Sequence, residues 1–115
     1  SPVVVLTQVD NNMPIAQEEI FGPVSSIISF TDETEVITKA NATNSGLAAY
    51  FYTQNMSRIY RVSEALQFGM IGINETAISN AAAPFGGIKQ SGYGREGSKY
   101  GLDDYLNIKY LCIGI

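Results

Sequence analysis

The sequence predicts an α/β fold built on a parallel-rich sheet with βαβ crossovers. Short β-branched runs alternate with segments whose apolar residues recur at helical spacing. Strand, helix, strand, helix and strand follow one another at short intervals, the order that covers a parallel sheet with helices. An apolar content of 45% over 115 residues is enough to build a core. No internal repeat, low-complexity tract or linker-like run marks a boundary, so one continuous unit is expected.

Val3 to Leu6 is a β-branched run and the first expected strand. Val24 to Phe30, following the Gly22-Pro23 turn signal, is the second. Asp32 followed by Glu35 resembles a capping box, and Val36, Ile37 and Ala40 then fall on one face, predicting a helix from about Thr34 to Thr43. Leu47 to Thr53 is apolar and aromatic over a strand's length. Ser57 offers an N-cap for a helix presenting Ile59, Val62, Ala65 and Leu66, and Gly69 closes it before a strand from Met70 to Asn74. A Gly-rich loop, Pro84 to Gly97, a weak helix near Glu96 to Tyr105 and a strand over Asn107 to Ile113 complete the chain.

Composition narrows the chemistry. The net charge is −4, and the 7 Lys and Arg are scattered, which argues against nucleic acid or an anionic membrane surface as partner. The opening SPVVVLTQVD has too short an apolar run and no basic leader for a signal peptide, and no stretch reaches a membrane span, so a cytoplasmic or, in a eukaryote, mitochondrial setting is expected. With one cysteine and no histidine, neither a disulfide framework nor the usual zinc and Cys-His sets can be assembled, and no metal is expected.

Two segments carry chemistry. EEIFGPV, Glu18 to Val24, places Glu19 two positions before Phe21. A carboxylate can accept hydrogen bonds from two vicinal hydroxyls, and residues two apart on an extended strand share a side, where an aromatic ring can pack on a flat bound ring. Taken from the residues alone, Glu18 and Glu19 read as solvated charges and Phe21 as a core residue. The second segment is PFGGIKQSGYGREG, Pro84 to Gly97. Its residues Gly92 to Gly97 match G-x-G-x-x-G, but a loop precedes them and no acidic residue can follow about 20 positions on, so the glycines read as turn and packing residues.

Together the two strings resemble signatures of the NAD(P)-dependent aldehyde dehydrogenases. The stretch ISNAAAPFGGIKQSGYGREGSKYGLDDYLNIKYLCIGI is similar to the succinate-semialdehyde dehydrogenases almost throughout. The resemblance implies that the chain is a C-terminal fragment, with residues 1–105 belonging to the catalytic domain and 106–115 forming an oligomerisation strand that supports a homo-oligomer. It implies NAD or NADP as cofactor, with Glu19 the ribose-binding acid and Phe21 the nicotinamide-packing aromatic. It places Phe85 in the wall of the substrate tunnel. Six positions before that phenylalanine, where relatives acting on apolar aldehydes often carry an aromatic, stands Ser79, whose hydroxyl can donate to the far carboxylate of a short semialdehyde. The competing reading of Ser79 is a loop serine bonded to its own backbone.

The family's cysteine nucleophile and glutamate base match no residue here. Cys112 is expected to be a small packed strand residue, since no base, cation or helix N-terminus is placed to lower its pKa. The fragment itself is therefore expected to be inactive. The parent protein would oxidise succinate semialdehyde to succinate, with glutarate semialdehyde or another short aldehyde as the near alternative. A non-catalytic self-association module is the alternative of another class.

Overall fold

A computed structural model of the chain describes residues 2–115, and Ser1 lies outside them. The described residues divide into two compact units, 2–43 and 44–115, in place of the single unit expected. Each closes around its own pair of parallel strands, so the expected continuous sheet is replaced by two two-stranded ones.

In the first unit, β1 (Val4–Leu6) pairs in parallel with β2 (Val24–Ser26), Val4 opposite Val24 and Leu6 opposite Ser26. The second strand stops well short of Phe30, yet pairing runs a little further, because the Ile27 amide donates to the Leu6 carbonyl at 2.8 Å. The connection contains a one-turn helix, α1 (Pro14–Gln17), not expected from the sequence; Pro14 suits a first helical turn, where its missing N–H costs nothing. Helix α2 (Glu33–Asn41) begins where the capping pattern places it, with the Asp32 carboxylate accepting from the Glu35 amide at 2.8 Å. The reciprocal contact lands one residue earlier than in a capping box. Glu35 accepts from the Thr31 amide at 2.7 Å and from its hydroxyl at 2.6 Å.

The second unit is a βαβ element. Strand β3 (Ala48–Phe51) runs parallel to β4 (Met70–Ile73), Ala48 opposite Met70 and Phe51 opposite Ile73, with α3 (Met56–Ala65) between them. The cap of α3 is Asn55 rather than Ser57: the Asn55 side chain accepts from the Arg58 amide at 2.9 Å, and Ser57 falls inside the first turn. Val62, on the expected apolar face, is buried. Val62 and Val9 are the buried hydrophobics among the described residues, 7% and 8% exposed. Beyond β4 the chain is loop, broken by 3-10 turns at Lys89–Ser91 and Tyr100–Tyr105; the weak helix expected near Glu96 is this second turn.

The strand expected over Asn107 to Ile113 does not form. Leu106 is already extended, at φ −117° and ψ 142°, but residues 107–115 find no ladder partner among the described residues, and an extended segment without one is not a strand. Tyr110, Leu111 and Ile113 are exposed, and so is Cys112, which is not packed as expected. Among the described residues no helix is long and apolar enough to cross a membrane.

Candidate functional site

In the first unit, Glu19 and Phe21 lie in the connection from α1 to β2, not on an extended strand. The Gly22 amide donates to the Ile20 carbonyl at 2.8 Å, and the Val24 amide to the Gly22 carbonyl at 2.8 Å, which makes two successive three-residue turns. Phe21 is the central residue of the first turn. Strand alternation therefore does not relate it to Glu19, a correction to the geometry expected from spacing. The turn projects the Phe21 ring outward, 94% exposed, and the Glu19 side chain is exposed as well. A bare aromatic face and an accessible acceptor-only carboxylate fit a nicotinamide riboside, which presents a flat heteroaromatic ring and two neighbouring hydroxyls.

In the second unit, the loop after β4 is secured at its start by Asn74. That residue has φ 55°; its side-chain carbonyl accepts from the Thr53 amide at 2.9 Å, and its amide group donates to the Thr53 carbonyl at 2.8 Å. This two-bond clamp imitates one further rung of the ladder. Glu75 follows, its carboxylate accepting from the Ala77 amide at 2.9 Å and the Thr76 amide at 2.8 Å, and these bonds lower its pKa. The chain then turns at Asn80, whose side chain accepts from the Ala82 amide at 2.8 Å, and reaches Phe85.

Phe85 is held by a reciprocal pair of backbone bonds with Glu96, its amide donating at 2.8 Å and its carbonyl accepting at 2.7 Å. The next residues pack on the foot of the βαβ element. The Gly46 carbonyl accepts from the Gly69 and Ile88 amides, each at 3.0 Å, while the Gly46 amide donates to Ser91 Oγ at 2.8 Å. Gly69 faces the Gly86 carbonyl so closely that a Cβ would strike backbone.

This folding brings Ser79 and Phe85 to the same place. They line a cleft of about 330 Å³ together with Asn80, Ala81, Ala83 and Glu96. Ser79 is exposed, and its hydroxyl makes no hydrogen bond among the described residues, so the backbone-bonded alternative is not the arrangement found. Gly92, Gly94 and Gly97 have φ of 110°, 79° and 67°, conformations that favour glycine. No strand leads into them and no helix opens at Gly97, so they are loop glycines rather than a nucleotide fingerprint. The clamp of Asn74 and the contacts of Arg95, described below, went unseen in the sequence. The isolated NET step after an apolar strand was the only signal for the former.

The aldehyde dehydrogenase family matches residues 1–111. The chain belongs to that family. It is 57% identical over 111 residues to the NADP-dependent succinate-semialdehyde dehydrogenase of Escherichia coli strain K12, covering 96% of this chain and 23% of the relative. It is 58% identical over 111 residues to the glutarate-semialdehyde dehydrogenase of Pseudomonas putida, with the same shares, 96% and 23%. The crystal structure of succinate-semialdehyde dehydrogenase from Burkholderia pseudomallei superposes with a TM-score of 0.92 at 55% identity, over 96% of this chain and 23% of that one. The chain thus spans about a quarter of the length of these relatives.

Proposed function

We propose that the chain is part of an NAD(P)-dependent dehydrogenase that oxidises succinate semialdehyde to succinate, and that it contributes cofactor and substrate contacts without the reacting groups. The observation that carries this reading is the meeting of Ser79 and Phe85 in one cleft, a hydroxyl donor beside an aromatic wall. A short semialdehyde has an apolar stem and a carboxylate end, which such a pair complements. Glu19 accepts from the ribose hydroxyls, and Phe21 offers its exposed ring to the nicotinamide. A nicotinamide, when bound, would supply the hydride acceptor. The chain's residues orient it and shape the path of the aldehyde, and their contribution is geometric.

The resemblance of Glu18 to Val24 and Pro84 to Gly97 to motifs that follow the family's catalytic cysteine supports placing the chain in the C-terminal part of the whole enzyme, with residues 106–115 as an oligomerisation segment. An apolar tail with unpaired backbone is suited to adding a strand to another subunit's sheet. A second reading, glutarate semialdehyde as substrate, is favoured by the 58% identity to the Pseudomonas putida enzyme. One methylene separates the two substrates, a difference of about 1 to 3 kcal/mol, so overlap in activity is expected.

The test is nicotinamide reduction by the full-length gene product with succinate semialdehyde, glutarate semialdehyde and an uncharged aldehyde, each with NAD and with NADP. The highest kcat/KM for succinate semialdehyde is the expected result. Preference for the uncharged aldehyde would overturn the substrate assignment, and no reduction with any of them would overturn the reading as a whole. Sequencing the full reading frame tests the C-terminal placement, which fails if the cysteine motif lies downstream of Ile115.

A further inference from the structure

Arg95 is half-buried in the second unit. Its Nη1 donates to two backbone carbonyls, Gly87 at 2.8 Å and Gly94 at 2.7 Å. Those carbonyls belong to the two arms of the loop that meet at the Phe85–Glu96 bridge. The arms are pressed together tightly there: a Cβ on Gly86 would come within 2.6 Å of the Gly94 carbonyl and 2.8 Å of Arg95 Cδ. The outer arm is held from its other side by Asp104, whose carboxylate accepts from the Arg95 amide at 3.3 Å and sits against Gly94. The guanidinium is therefore spent on the protein's own backbone.

We propose that Arg95 is a positioning residue for the substrate wall, its guanidinium fixing the Phe85 arm against the Gly94 arm and so setting where the Phe85 ring stands in the cleft beside Ser79. The inference rests on the function proposed above for that cleft. Charge-assisted bonds to two carbonyls in a partly desolvated place are stronger than the neutral bonds they supplement. Without them the two arms keep the reciprocal Phe85–Glu96 bonds and, further along, the bond from the Ser98 amide to the Ala81 carbonyl at 2.9 Å. The loss falls on the geometry of the wall, since the guanidinium itself does not reach the Ser79 cleft.

The experiment uses the full-length enzyme and its Arg95→Ala and Arg95→Lys variants, with and without added guanidinium chloride at millimolar concentration. Arg95 borders a cavity of about 550 Å³, so a free guanidinium ion has a route to the vacated place. Arg95→Ala is expected to raise KM for the semialdehyde by at least about tenfold with a smaller effect on kcat, since a misplacement of about 1 Å can cost up to 100-fold. Added guanidinium should recover much of the loss, and Arg95→Lys should lie between alanine and wild type. Amide exchange read at Phe85 and Glu96 separates this proposal from the substrate reading. Faster exchange in Arg95→Ala, slowed again by guanidinium, is expected whatever the substrate proves to be. Unchanged exchange, or faster exchange with unaltered KM for every aldehyde oxidised, would overturn the positioning role. Should the alanine variant not fold, Arg95→Lys carries the same two readouts.

Discussion

In the proposed function, Ser79 is the residue that would separate a semialdehyde site from a general aldehyde site. Its hydroxyl has no partner among the described residues and opens on the cleft that Phe85 walls. A hydrogen bond to a charged group is worth about 1.5 to 3 kcal/mol, or roughly 10- to 100-fold. Ser79→Ala in the full-length enzyme should raise KM for succinate semialdehyde by that order and leave an uncharged aldehyde of similar length nearly unaffected. Equal changes for both would remove Ser79 from the substrate. Glu35 makes a different prediction. The Lys39 ammonium at 2.7 Å and the Thr31 hydroxyl and amide hold its carboxyl at about 2, against 4.5 ordinarily. A depressed carboxylate stabilises the folded state fully above its unfolded pKa and loses that contribution as pH falls toward the folded one. The start of α2 should therefore be most secure above about pH 4.5 and loosen between there and about 2. Amide exchange at Thr31 against pH checks this; Glu35→Gln should flatten the profile.

At the level of elements, the sequence was most legible where local chemistry decides. Asp32 capped its helix as its spacing indicated, and β3, β4 and the buried face at Val62 lie within a residue or two of expectation. Legibility failed where two signals competed or where a partner was required. Asn55 took the cap from Ser57 because its side chain reaches the Arg58 amide from just outside the helix. Gly22 and Pro23 turned the chain at Phe21, so a period-2 argument about Glu19 had no strand to act on. The tail had a strand's composition but no ladder partner among the described residues. In the site, Phe85 and Ser79 were named from motif position, whereas the contacts holding them come from Asn74 and Arg95, whose roles depend on carbonyls remote in the sequence or hidden in a glycine loop. The packing at the foot of the βαβ element is testable through Gly69. A methyl there would meet the Gly86 carbonyl and, at 2.7 Å, the Gly87 Cα, neither able to swing aside. Gly69→Ala should cost about 1 to 3 kcal/mol as overpacking does, read as a lower Tm of the full-length protein. It should also disturb aldehyde KM, because the displaced backbone adjoins Phe85. A normal Tm with normal KM would mean that the loop yields without consequence.

For the molecule as a whole, the shortage of buried apolar side chains stands out against the breadth of exposed ones. Two-stranded parallel sheets are ordinarily found covered on both faces, and Val3, Val5, Tyr52, Tyr60 and Leu102 are exposed here. This pattern accords with a chain that spans about a quarter of its relatives' length. The break between Thr43 and Asn44 has a further consequence. Under the proposed function, the cofactor contacts Glu19 and Phe21 fall on one side of it and the aldehyde contacts Ser79 and Phe85 on the other, so the two recognition tasks would be inheritable separately. A chimera taking residues 44–115 from the glutarate-semialdehyde dehydrogenase should acquire that enzyme's aldehyde preference and retain its own nicotinamide KM. A single crossover at this seam would give a lineage a route to new substrates that leaves the grip on its redox partner untouched.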